Sequence, residues 1–214
     1  MLNEMEMNVS DPVELDFYFD PLCPWAWRTA LWARQVARKR PLAITWKLFS
    51  LAVVNHGSDY AAEAHAKGFR LERALIAARR LGGNEAVERL YMALGNAYHG
   101  DRADLGDEAV IRGCLAKAEL PEDLYDRALA DPTTETDLLA EHKQAIDERG
   151  AFGVPTLALA GSAMGAFGPI IQPIPTGAEA LALWDHTLWL LQRPYVWELK
   201  RERTMKLAPQ HVLD

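Results

Sequence analysis

The stretch Val13-Glu14-Leu15-Asp16-Phe17-Tyr18-Phe19-Asp20-Pro21-Leu22-Cys23-Pro24-Trp25-Ala26-Trp27 decides how this chain is read. Its first half alternates apolar and polar side chains and then turns aromatic, which predicts a β-strand. Asp20-Pro21 stops the strand. Pro24 suits the first turn of a helix, where a missing N–H costs nothing. Trp27, Ala30, Leu31, Arg34 and Ala37 then recur at helical spacing, and Arg34, Arg38, Lys39 and Arg40 put positive charge at the helix's negative end, before Pro41. Cys23 thus stands at a helix N-terminus, whose first N–H groups have no partner inside the helix. The thiolate is the nucleophile, and this placement lowers a cysteine pKa from its free value of about 8.5. The expectation is a lowered Cys23 pKa, with Trp25 covering one side of the sulfur. The alternative is the usual fate of a free cysteine, a small buried hydrophobe. Where a C-x-x-C motif would carry its second cysteine, this chain has Ala26.

Outward from this motif, residues 42–49 read as a second strand, so the start of the chain is a β-α-β unit with parallel strands. Residues 58–149 show no convincing strand; Ala, Leu, Glu and Arg recur at helical spacing, punctuated by Gly82-Gly83, His99-Gly100-Asp101 and Leu120-Pro121. Strand character returns over residues 153–159, with a short strand expected at 163–167. Residues 177–192 read as a helix with Leu181, Trp184, Leu188 and Leu191 on one face. Residues 195–206 read as a short charged helix. The expected organisation is residues 10–57 and 150–192 as two parts of one α/β domain, 58–149 as an all-helical insertion, and 193–214 as a helical tail.

At 214 residues, half of them apolar and a quarter charged, the composition is that of a globular protein. A formal net charge of -7 argues against a general nucleic-acid binder. No apolar run has the length of a membrane span. The polar start of the chain lacks a signal-peptide pattern, and two cysteines in such a length suit a reducing compartment, so a cytoplasmic protein is expected.

A second segment bears on Cys23. Val154-Pro155-Thr156 precedes a strand, and a proline there is either an edge feature or a cis bond facing the cysteine, with the Val154 backbone free to pair with a bound thiol compound. With this pair in view, the chain resembles the DsbA-like branch of the thioredoxin superfamily, and in detail its actinobacterial mycothiol-dependent reductases. The resemblance rests on residues 16–25, Ser50-Leu51-Ala52-Val53-Val54-Asn55, Gly153-Val154-Pro155-Thr156, Phe167-Gly168-Pro169 with Ile174-Pro175, and Glu198-Leu199-Lys200-Arg201. It implies an α/β thioredoxin-like fold with a large helical insertion. It also implies mycothiol or a similar small thiol as cosubstrate and disulfide reductase or nitroreductase activity; the six histidines are scattered without metal spacing, so no metal is expected. Cys23, Trp25 and Asn55 match the family pattern. Ala26 departs from it, and so does His65, where the pattern has a tyrosine.

The candidate site is therefore Cys23 as sole attacking thiol, Pro24, Trp25 and Ala26 as its motif, and Val154, Pro155, Asn55 and His65 as thiol-binding residues. Without a resolving cysteine, an external thiol must free the mixed disulfide. His56 and His65 are expected near the mouth of the site, where a protonated imidazole would hold a thiolate. Cys114 reads as core. Arg70, Arg73, Arg79 and Arg80 form a basic stripe, as do Lys200, Arg201, Arg203 and Lys206; each is either a solvated face or a ligand surface. Expected partners are a small thiol, a disulfide or electrophilic substrate and oxidised proteins, with the chain a monomer or homodimer. Two rivals stand beside this reading. One is a kappa-glutathione-transferase-like enzyme, in which Cys23 stabilises a bound cofactor thiolate. The other is a non-catalytic thiol- or protein-binding module.

Overall fold

The computed structural model describes residues 12–62 and 66–213. Strand β1 (Val13–Phe19) leads through the Cys23 turn into α1 (Pro24–Ala37), and β2 (Leu42–Leu48) follows. Then come α2 (Leu51–His56) with a 3-10 turn (Gly57–Asp59), α3 (Ala66–Gly95) ending in a π-turn (Asn96–Gly100), α4 (Glu108–Lys117), α5 (Leu124–Ala130) and α6 (Pro132–Arg149). The chain returns to β3 (Thr156–Leu159), β4 (Ala166–Phe167) and α7 (Gly177–Leu191).

The four strands lie in the order β2-β1-β3-β4. β1 pairs parallel with β2, Val13 opposite Leu42 through Phe19 opposite Leu48, and antiparallel with β3, Tyr18 opposite Thr156. As an inner strand β1 is covered on both faces, so its second half, Phe17 to Phe19, is buried without alternation. The strand expected at 163–167 is reduced to Ala166–Phe167, paired with β3.

β2 lies at the sheet's edge, yet it is not open. Asn84 Oδ1 accepts from Trp46 N–H at 2.8 Å and Asn84 Nδ2 donates to Ile44 C=O at 2.7 Å, so one side chain pairs with the strand as a neighbouring strand would. Arg79 Nη2 donates to Trp46 C=O at 2.9 Å, and Glu141 Oε1 accepts from Leu48 N–H at 3.1 Å. Side chains of α3 and α6 thus occupy an edge that would otherwise invite another chain. The Gly82-Gly83 pair, read from sequence as a break between helices, is a kink inside α3. Gly83 at φ +63° needs glycine's freedom, and the kink leads straight into Asn84.

The core is aromatic where the insertion meets the sheet. Tyr91 of α3 stacks on Phe19 at 3.9 Å between ring centroids and meets Trp27 and Trp46 edge-on, each at 5.6 Å. Each such pair is worth about 0.5–1.5 kcal/mol beyond the area it buries.

The tail differs from its reading. Residues 195–213 form no helix; they run as a strap whose backbone groups are bound by side chains of α1 and the π-turn. Gln210 C=O accepts from Trp27 Nε1 at 2.8 Å, and Val212 N–H donates to Asn96 Oδ1 at 3.0 Å. These bonds replace the intrahelical ones, and Pro194 and Pro209 offer no N–H to a helix.

Gly95 ends α3 directly against the Trp27 ring, which is fully buried; a Cβ there falls well inside van der Waals contact of the ring. Gly95→Ala is expected to lose about 1–3 kcal/mol by overpacking. Denaturant unfolding reads this as a lower midpoint at unchanged slope; an unaltered midpoint would contradict the packing described.

Candidate active site

Cys23 is the N-cap of α1, with Pro24 as the first helical residue. Its Sγ accepts from Ala26 N–H at 3.4 Å, and the thiol donates to Val154 C=O at 3.6 Å. The sulfur is therefore held between a helix N-terminus and the loop before β3, across 131 residues of sequence. The Val154–Pro155 bond is cis, and both residues are buried. Beyond them Phe152 is exposed and stacks on Phe167 at 5.3 Å, forming an aromatic rim. Trp25 is half-buried beside the cysteine, and Ala26 has no exposure.

The expected lowering of the Cys23 pKa is reversed. Burial pushes the thiol up to about 11. The N–H groups of Ala26 and Trp25 pull it down, but the Asp20 charge adds to the burial. Position at a helix end does favour a thiolate; a cysteine only 5% exposed pays more for lost hydration than two N–H groups return.

Asp20 is the residue that the sequence reading passed over, taking it only as the end of a strand. It is 2% exposed, and its two oxygens accept from Leu22 N–H at 2.8 Å and Leu51 N–H at 3.0 Å. It thereby ties the turn before Cys23 to the start of α2. Burial raises its pKa to about 6 despite these bonds. Behind it Glu72 of α3 has no exposure, and neither carboxyl oxygen has a hydrogen-bond partner among the described residues. Burial first, and the Asp20 charge second, hold Glu72 protonated well above the usual carboxylate range. The nearest sequence signal was an acid placed just before the cysteine turn.

Of the other candidates, Asn55 and His56 are exposed at the end of α2, and His65 lies outside the described residues. Cys114 is buried in α4, its thiol donating to Ala93 C=O at 3.6 Å. The stripe on α3 is spent on structure. Arg73 donates to Thr134 and to the carbonyls of Ala128, Leu129 and Asp131, Arg79 pairs with Glu141, and Arg80 with Asp131 and Asp137. Among the described residues no three His, Cys, Asp or Glu side chains gather as a metal site, and no helix is long and apolar enough to cross a membrane.

This arrangement, a cysteine capping the helix after a central strand and facing a cis-proline loop, defines a DsbA-like thioredoxin fold. Solved structures share it. They include the probable DsbA oxidoreductase SCO1869 from Streptomyces coelicolor (TM-score 0.59, 18% identity, covering 94% of this chain and 99% of that one) and the cytosolic disulfide reductase DsbM from Pseudomonas aeruginosa (0.58, 16%, 83% and 100%). Residues 22–201 match the model of the Rv2466c-like family, the mycothiol-dependent nitroreductase Rv2466c, and the chain belongs to that family. Over 193 residues it is 35% identical to the uncharacterized protein Rv2286c of Mycobacterium tuberculosis, covering 89% of this chain and 82% of that protein.

The buried carboxyl gives a pH prediction. The Asp20 pKa rises from 3.8 unfolded to about 6 folded, so the folded state binds the extra proton. Its contribution to stability, about 3 kcal/mol in full, is present below pH 4 and is lost as pH rises through 6. Asp20→Asn is expected to flatten unfolding free energy between pH 4 and 7. It should also lower the Cys23 pKa, read from alkylation rate against pH. An unmoved thiol pKa would show that the Asp20 charge does not reach the sulfur.

Proposed function

We propose that Cys23 is the sole attacking thiol of a thiol–disulfide oxidoreductase and that an external small thiol, mycothiol or one like it, completes each turnover. The observation that carries this reading is the Cys23 sulfur held between Ala26 N–H and Val154 C=O, with a fully buried alanine at the position of a resolving cysteine. In the first step the Cys23 thiolate attacks one sulfur of a disulfide. The Cys23–S bond forms, the S–S bond breaks, and the departing thiolate takes up the thiol's proton. The Ala26 N–H stabilises negative charge on the protein sulfur at the start and end of exchange. In the second step an external thiolate attacks the adduct sulfur, a new external disulfide leaves, and Cys23 is reduced. Each cycle consumes one disulfide and one external thiol and releases one thiol and one new disulfide; from a mixed disulfide of the small thiol, the disulfide released is that of the small thiol itself. Val154, Pro155, Trp25 and Phe152 would line the entering partner, and Asn55 would be a further thiol-binding residue. The buried, protonated thiol suits attack only after a partner sulfur has docked, and the need for a reduced small thiol suits the cytoplasm. Nitro-compound reduction, the activity in the family's name, would use the same thiol.

The raised thiol pKa favours a second reading. A thiol that stays protonated can donate to a bound cofactor thiolate, as in the kappa-glutathione-transferase-like alternative, and Cys23→Ala would then retain turnover. A thiol inert to every disulfide would leave the binding-module reading.

Incubation with an oxidised small thiol, followed by intact mass measurement, is expected to give one adduct, absent from Cys23→Ser. In Ala26→Cys the adduct should give way to an intramolecular disulfide, at a cost of about 1–3 kcal/mol for a sulfur in a filled site. A persistent adduct in Ala26→Cys, or none in the parent protein, would contradict the monothiol scheme.

A further inference from the structure

The strap reaches the mouth of the site. The Arg203 guanidinium lies over the Trp25 ring, 5.1 Å from its centroid. Downstream, Gln172 Nε2 donates to Lys206 C=O, and Arg28 donates to Ala208 C=O and to Gln210 Oε1. Gln210 N–H donates to His99 C=O at 2.9 Å, and His211 pairs with Asp101 at 2.8 Å. Together with the Trp27 and Asn96 bonds, these fix residues 206–212 against the loop before α7, α1 and the π-turn. Four residues separate Arg203 from Ala208, and the intervening chain, fully extended, spans at most about 18 Å. Arg203 is therefore tethered beside Trp25 rather than free in solution.

The charge of this segment is opposite to that of the chain. Lys200, Arg201, Arg203 and Lys206 surround a single acid, Glu202, in a protein of net charge -7. All five are exposed. Trp25 engages only the face of the Arg203 guanidinium. Its edge carries N–H donors in a fork that suits a carboxylate, and no described residue accepts from them. A planar cation can stack on an aromatic ring and hold an anion at its edge at the same time.

We propose that Arg203 is a partner-binding residue at the mouth of Cys23, selecting disulfide partners that carry negative charge beside the reacting sulfur. The inference rests on the reading of Cys23 as the attacking thiol. The strap supplies the position, Trp25 the platform, and Lys200, Arg201 and Lys206 the surrounding field. Asp20 is buried and raises the thiol pKa, which affects charged and neutral partners of Cys23 alike.

Two alkylating reagents test this, iodoacetate and iodoacetamide, which share a leaving group and differ in charge. Their rates at Cys23 are followed on the full chain by peptide mass mapping, which separates Cys23 from Cys114. At low ionic strength Arg203→Ala is expected to lower the iodoacetate-to-iodoacetamide rate ratio about two- to fivefold, the effect of one contact charge in water. Arg203→Lys should keep most of the ratio. In 1 M salt, where screening acts within about 3 Å, the variants should converge. A mere change in the fold or in the thiol pKa would move both rates together. An unchanged ratio in Arg203→Ala overturns the inference while leaving the nucleophile intact. A Cys23 inert to both reagents overturns the nucleophile reading, and this inference with it.

Discussion

A single buried carboxylate holds the site together. Asp20 receives the N–H groups of Leu22 and Leu51, one from the turn that presents Cys23 and one from the start of α2. The backbone already joins the strand ends, Phe49 N–H donating to Phe19 C=O at 3.0 Å, and Asp20 extends that link to the segments that follow each strand. With it, the cysteine turn and the helix after β2 form one rigid corner. The same charge works against a thiolate a few residues away, and Glu72 beyond it is forced to stay neutral. The corner takes one negative charge at a cost, the Asp20 pKa standing at about 6, and a second at a greater one, which is the expected behaviour of like charges with little water. Asp20 thus helps set the geometry of the nucleophile and adds to the burial that makes it hard to ionise.

The insertion is part of this corner and not an appendage. Its helix α3 brings Tyr91 onto Phe19 at the end of β1 and Asn84 onto the edge of β2, and α6 brings Glu141 and His142 to Leu48 N–H and Ser50 N–H. The backbone from β2 into α2 is thus bonded by helices that the sequence separates from it by as much as 93 residues. Arg73, Arg79 and Arg80 hold α3 to α6. The insertion's charged stripe accounts for its own packing.

Much of this was legible in the order of residues. The strand, cysteine, proline and helix follow one another in a way that few folds allow, and the helical spacing of residues 58–149 separates cleanly from the strands on either side. What could not be read needed three dimensions. A helix N-terminus is visible in sequence; the burial that outweighs it is not, so the Cys23 shift was read with the wrong sign. Asp20 was an ordinary strand end until its oxygens found two N–H groups. The stripe on α3 looked solvated because its acidic partners lie more than fifty residues on. The tail looked helical by its charges, yet its backbone is bonded by Trp27, Arg28 and Asn96.

The account comes down to whether the protein sulfur forms a bond during turnover. Initial-rate kinetics answer this directly, with a small-thiol mixed disulfide and the free thiol varied against each other. A covalent Cys23 adduct freed by a second thiol predicts substituted-enzyme behaviour, with parallel double-reciprocal lines. Intersecting lines, the mark of both substrates bound at once, would contradict it and assign Cys23 to holding a cofactor thiolate.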